Sequence, residues 1–228
     1  DRWLDEHAWW GSRRAAEEVF AETDLQAAFG TSLVGGYELP LRAAAEPADA
    51  GWSAETPLLL VQDGVGLVAR LVLRQGGAWN ARMDIEAHDA ISRAYRAVSS
   101  CTRDGRPLCS FSDVGVDVGH ASGGAEERLE RGFNGESCAL PAALALAAAW
   151  CGRAIPRDLA STGRLFKDQH GVWRVGVVGG VSEKAWALSV VTGGRPVRLL
   201  VAPEQVEQVD APGVTAVPVV NIAAALAV

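Results

Sequence analysis

Apolar and polar positions change period several times along the chain, and each change predicts an element. Residues 57–61 and 65–73 are apolar and β-rich, split by Asp63-Gly64, a strong turn pair, so they read as a β-hairpin ended by Gln75-Gly76-Gly77. Over 84–98 the period becomes helical: Ala87, Ala90, Ile91, Ala94, Tyr95 and Val98 fall on one side, with Asp89 and Arg93 four apart on the polar side. Val114, Val116 and Val118 then alternate with small or polar residues, which predicts a strand. Residues 140–151 are an Ala/Leu run without a charge, closed by Gly152, and predict a buried helix. A strand is expected over 172–178, followed by Gly179-Gly180 and a second apolar helical segment that Lys184 enters.

The first 55 residues are patterned differently. Ser12 can cap a helix over 13–29, with Ala16, Val19, Phe20 and Ala27 on one side and Gly30 as its stop. A strand is expected at 33–41. Residues 43–55 are rich in Ala, Pro, Asp and Gly without alternation and read as a loop. This places an accessory N-terminal element at 1–55 and the main domain at 56–228, with Trp3, Trp9 and Trp10 docking on that body or on a neighbour. The fold class is α/β, a mixed sheet with helices packed on it.

Two residues at helix mouths carry the candidate chemistry. Ser137 sits in the polar turn Asn134-Gly135-Glu136-Ser137-Cys138-Ala139 that opens the 140–151 helix, and Lys184 follows Val181-Ser182-Glu183. A serine hydroxyl needs an adjacent base to become nucleophilic, and Ser-Lys pairs are one solution. Lysine can be that base only if its pKa falls from about 10.4 to roughly 7–8, which burial supplies. Ala185-Trp186-Ala187-Leu188 offers such surroundings. Backbone N–H groups at the start of the helix beside Ser137 are expected to help hold an oxyanion. Taken singly, each residue has a plainer reading: a serine before an Ala/Leu helix as an N-cap, a helical lysine as a solvated charge.

The segment from Asn134 to Val228 resembles the proteolytic domain of Lon proteases. The likeness is carried by Gly135-Glu136-Ser137-Cys138 at the catalytic turn, Gly152 after the helix, the Thr162-Gly163 pair, and Gly179-Gly180-Val181-Ser182-Glu183-Lys184. It continues as a strand over 197–203 ending in Pro203, and as a terminal strand and helix spanning Val217-Pro218-Val219-Val220, Ala223, Ala224 and Leu226. Residues 165–171 stand as a short insertion. The resemblance implies a Lon-type proteolytic fold, Ser137 as nucleophile, Lys184 as general base, and Thr162 as the residue that orients the lysine. It implies peptide-bond hydrolysis through an acyl-enzyme, without metal or nucleotide cofactor, on protein or peptide substrates. A separate ATPase or sensor partner and a homo-oligomer accompany that expectation. Two positions depart from the family pattern: Arg164 replaces the glutamate usual after Thr-Gly, and Ala139 takes a place often held by Gly or Ser. The alternatives are a catalytically silent scaffold of the same fold and an amidase or esterase using the same pair.

Composition narrows the class. With 49% hydrophobic and 21% charged residues in 228, the chain can bury a substantial core. A net charge of −7 with scattered Lys and Arg argues against nucleic acid as a partner. No apolar run reaches the ~20 residues of a membrane span, and the start has no basic-then-apolar leader. The chain begins at Asp1, which leaves room for an upstream signal or domain. No Walker-type phosphate loop occurs, so no ATPase module is expected in this chain. Cys101, Cys109, Cys138 and Cys151 lack metal-site spacing. Cys101 and Cys109 flank Asp104-Gly105 and could form a disulfide, but reduced thiols in a cytoplasmic protein are the favoured expectation. Cys138 is a second nucleophile to weigh, as is a Ser137-His120-Asp117 triad. Against the triad, Asp117 and His120 lie three apart on one strand and face opposite sides. His7, His88 and His170 have no patterned partner.

Overall fold

A computed structural model describes residues 11–12, 52–76, 79, 83–101, 109–120, 135–151, 155–156 and 158–228. The helix expected at 13–29, the strand at 33–41, most of the loop at 43–55 and the three early tryptophans lie outside these residues. So do most of the accessory element placed at 1–55 and Gly152.

Turn chemistry sets up the first sheet. Asp63 and Gly64 both take positive φ, 51° and 78°, the backbone that lets a two-residue turn match the twist of its strands. They join β2 (Ser53–Gln62) to β3 (Val65–Gln75), paired from Gln62 opposite Val65 to Ser53 opposite Arg74. β4 (Val114–His120) lies on the far side of β3 and β1 (Gly11–Ser12) on the far side of β2, all antiparallel, in the order β1-β2-β3-β4. Alternation then fills one face: Thr56, Leu71 and Val118 form one buried row, and Ala54, Leu73 and Val116 the next. The other face carries Glu55 and Arg70, an ion pair at 3.7 Å.

Helices cover this sheet. α1 (Ile85–Ser100) starts at Asp84, whose carboxylate accepts the Ala87 N–H at 2.8 Å. All six apolar residues of its expected face are buried. α2 (Ala139–Trp150) is buried at every position but Ala148, because it packs on β2 and β3 and also on α1. Its alanines allow that close approach from several sides, and Pro141 is tolerated in the first turn, where no intrahelical N–H bond is lost.

The C-terminal part is a parallel sheet in the order β5-β8-β9, from β5 (Leu159–Ser161), β8 (Val197–Val201) and β9 (Val214–Pro218). Parallel neighbours need a crossover. Here it holds a hairpin of β6 (Arg164–Lys167) and β7 (Trp173–Gly176), then α3 (Val181–Thr192). α4 (Ile222–Leu226), capped by Asn221, packs against α2. The architecture is mixed α/β, and no helix among the described residues is long and apolar enough to cross a membrane.

Three local expectations are corrected. β2 begins at Ser53, inside the stretch read as loop, because Ala54 and Glu55 pair with Ser12 and Gly11 on one side and with Leu73 and Val72 on the other. The insertion at 165–171 is mostly β6 and its turn, so the strand expected at 172–178 shortens to Trp173–Gly176. Arg93 pairs with Glu136 instead of Asp89, since Glu136 reaches it from the end of a neighbouring element.

The tip of the β2–β3 hairpin rests on the first turn of α3. A Cβ on Gly66 would stand 1.9 Å from the Glu183 carbonyl oxygen, and one on Gly180 would stand 2.4 Å from Val61 Cγ2. Gly66→Ala therefore has to push backbone against backbone and should lower unfolding stability by roughly 3 kcal/mol. Gly64→Asn keeps a residue tolerant of positive φ in open space and should change it by less than about 1 kcal/mol. Denaturant midpoints of the two variants check the contrast.

Candidate active site

Lys184 is placed by α3 with its side chain turned inward. The helix starts after Gly180, whose left-handed φ of 68° turns the chain, and the Lys184 N–H bonds the Gly180 carbonyl at 3.0 Å. One turn of helix thus carries the lysine from the surface into the body, where it is 3% exposed. Its Nζ donates to Thr162 Oγ1 at 3.2 Å. Thr162 is itself buried, and its N–H bonds the Leu200 carbonyl at 3.0 Å, which ties it to the parallel sheet.

Burial pushes the Lys184 pKa down, to about 8, while the Glu183 carboxylate beside it pulls the other way. A Cys138 thiolate would also raise it. Cys138, however, is buried and its thiol is pushed up to about 12. It is therefore uncharged wherever Lys184 titrates. Desolvation governs the lysine, and Cys138 remains a thiol, unsuited to nucleophilic attack near neutrality. Its Sγ points to the carbonyls of Ala87 and Gly135 at 3.8 and 3.7 Å, as a packed side chain would.

Ser137 lies in the 3-10 turn Glu136–Cys138 that leads into α2, and it is half-buried. The turn starts at Gly135, where φ is 99°. Two backbone bonds fasten it to the residue after Thr162: Gly163 N–H donates to the Ser137 carbonyl at 3.3 Å, and Leu140 N–H donates to the Gly163 carbonyl at 3.0 Å. The fold therefore gathers all three expected site residues at one place, Ser137 and Thr162 through Gly163, and Lys184 through Thr162. Ser137 is not the N-cap of α2. Cys138 holds that position and makes no side-chain capping bond.

The oxyanion expectation needs correction. Ala139 N–H is taken by the Glu136 carbonyl and Leu140 N–H by Gly163, and Pro141 has no N–H. The first turn of α2 keeps none of these three positions free for a ligand.

The remaining candidates sit elsewhere. Asp117 and His120 both belong to β4. His88 lies against Trp79, ring centroids 4.3 Å apart, and His170 is exposed in the β6–β7 turn. Among the described residues the four cysteines form no disulfide with one another. Among the described residues no group of three or more His, Cys, Asp or Glu is placed to hold a metal ion. An open polar groove of about 590 Å³ runs along α1 beside the serine turn, lined by Glu86, Asp89, Ser92, Arg93, Arg96 and Glu136.

Glu136 escaped detection from sequence. It pairs with Arg93 on one side and with Arg164 on the other, the latter at 3.8 Å. The one available signal was its charge, opposite to that of Arg164 in the place where a glutamate was expected. No protein-family model matches the chain, and no curated protein matches it significantly.

The lysine makes stability depend on pH with an unusual sign. Its folded pKa of about 8 lies below the 10.5 of an exposed lysine. Between these values the unfolded chain binds a proton that the folded chain does not, so stability rises with pH across the window. Below it both states are protonated, and the folded state carries the full penalty, about 3 kcal/mol. Lys184→Met should thus raise the thermal midpoint by several degrees at pH 7. The gain should fade as pH approaches 10.5. An equal gain at both ends of the range would rule out the buried charge as its source.

Proposed function

We propose that this chain is a serine peptidase of the Lon type, with Ser137 as nucleophile and Lys184 as base, oriented by Thr162. The observation that carries the reading is the buried Lys184, its pKa lowered to about 8, hydrogen-bonded to Thr162 at 3.2 Å and joined through Gly163 to the serine turn. The Gly135-Glu136-Ser137-Cys138 and Gly179-Gly180-Val181-Ser182-Glu183-Lys184 motifs support it independently.

The chemistry follows from proton positions. With Lys184 neutral, one N–H is committed to Thr162 and the nitrogen lone pair is available. Ser137 Oγ attacks the scissile carbonyl carbon as Lys184 Nζ takes its proton. The tetrahedral intermediate collapses, the C–N bond breaks, and Lys184 returns the proton to the departing amine. Water then attacks the acyl-enzyme with Lys184 again as base, releasing the carboxylate product and Ser137. On this reading the substrates are protein or peptide segments that reach the site unfolded, and a separate ATPase or sensor partner would supply folded ones. A homo-oligomer and a cytoplasmic location belong to the same proposal.

A second reading, a non-catalytic module of the same fold, is favoured by the engaged N–H groups of Ala139 and Leu140. Reaction with a fluorophosphonate or peptidyl boronate probe, read by intact mass, separates the two. The peptidase should take one adduct, and Ser137→Ala none. The labelling rate should climb with pH and level off above an apparent pKa of about 8. Lys184→Ala should slow it by roughly 100- to 10,000-fold. No adduct on the wild type at any pH would favour the silent module. Comparison of peptide and ester turnover tests for an amidase or esterase.

A further inference from the structure

Among the described residues, the serine turn has a side-chain restraint that the dyad alone does not require. Glu136 immediately precedes Ser137, and Arg164 immediately follows the Thr162-Gly163 pair. The two side chains meet at 3.8 Å between Arg164 Nη1 and Glu136 Oε2, while Glu136 Oε1 is held by Arg93 from α1. Arg164 is steadied in turn by the Phe166 ring, its guanidinium carbon 5.5 Å from the centroid. One carboxylate therefore links three elements at the residue before the nucleophile.

Geometry says what such a link can do. The turn begins at Gly135, where φ is 99° and, among the described residues, a Cβ would meet nothing within 4 Å, so no side chain holds the turn at its first residue. Two backbone bonds to Gly163 set its distance from Thr162. These bonds hold only backbone, and a carboxylate between two guanidinium groups adds a side-chain restraint one residue before Ser137. Stability is a weak explanation for the arrangement. Glu136, Arg93 and Arg164 are 34%, 29% and 45% exposed, and ion pairs this wet contribute little to folding.

We propose that Glu136 is a positioning residue: clamped between Arg93 and Arg164, it holds Ser137 in register with Thr162 and thereby with Lys184. Its catalytic consequence rests on the Ser137–Lys184 reading, but its mechanical consequence does not. Arg164, the departure from the family pattern, is then the partner of Glu136, and the two charges work together.

The test uses the whole chain carrying Glu136→Ala, Glu136→Gln or Arg164→Ala, with two readouts. The first is hydrogen exchange at the Leu140 and Gly163 amides, which report the bonds between the turn and Gly163 whether or not the protein is an enzyme. Glu136→Ala should speed exchange at both while leaving the later amides of α2 unchanged. Glu136→Gln, which retains an acceptor for Arg93, should fall between it and the wild type. The second readout is labelling by the fluorophosphonate probe. Glu136→Ala should lower the acylation rate constant by roughly 10- to 100-fold, as small misplacements of reacting groups do. Probe binding, the apparent pKa and the thermal midpoint should stay near their wild-type values. Should Glu136→Ala fail to fold, Glu136→Gln and Arg164→Ala decide by the same two readouts. Unchanged exchange at Leu140 and Gly163 overturns the proposal. So does a rate loss that only tracks a lowered midpoint or a shifted pKa, since either places the effect outside the turn. A wild type that takes no adduct defeats the dyad reading instead, and exchange alone then judges the clamp.

Discussion

A primary amine held out of water is the constraint around which the site is arranged. Lys184 is 3% exposed, and its Nζ donates to Thr162 Oγ1. A charged ammonium in such a place is costly, so the surroundings must be stable enough to hold it there. They are built for that: α2 is apolar along its whole length, the hairpin tip lies on α3 with no room for a Cβ at Gly66, and Thr162 is anchored to β8. Loosening any of these walls would admit water and let the lysine return to its ordinary pKa. The packing of the core and the basicity of one nitrogen are thus a single problem.

Near the site the parts come from different layers. Ser137 belongs to the mouth of a helix packed on the antiparallel sheet, Thr162 to the end of a parallel strand, and Lys184 to the crossover helix between parallel strands. Gly163 joins them, because its N–H and carbonyl bond the serine turn while the residue before it accepts from the lysine. A side chain there would press on Val175 Cγ1 at 2.9 Å and Leu140 Cδ2 at 3.3 Å. The Thr-Gly pair is a joint between two sheets, and each of its residues is used for a different bond.

The charges around the serine turn have a complementary logic. The Glu136 carboxylate stands between the Arg93 and Arg164 guanidinium groups, and the groove alongside adds Glu86, Asp89 and Arg96. Water reaches all of them, so their energies are small and screened by salt. On the proposed reading, buried groups set the chemistry and exposed ones set the alignment. That division fits dielectric expectations, since electrostatic energies are large only where water is excluded.

Local signals in the sequence were sufficient for much of this. Asp63-Gly64 specified a hairpin because positive φ is inexpensive for those residue types, and the spacing of Ala87, Ala90, Ile91, Ala94, Tyr95 and Val98 specified a helix face because burial follows the helical period. An uncharged Ala/Leu run could only be a helix buried on every side, and Ser137, Thr162 and Lys184 were legible as residue types at motif spacing. Distance along the chain hid the rest. The strand from Ser53 was unreadable from its own composition, since pairing with β1 and β3 recruits it. The β6–β7 hairpin looked like an insertion for a similar reason. Arg93 could not be assigned to Glu136 over Asp89, and the engaged N–H groups of α2 could not be foreseen, because both depend on what a separate element places alongside. The sequence by itself determined which segments become helices and strands and which residues could carry the chemistry. Only the tertiary structure decided how deeply Lys184 is buried and what ties the Ser137 turn to Gly163, because desolvation and pairing are set by neighbours in space.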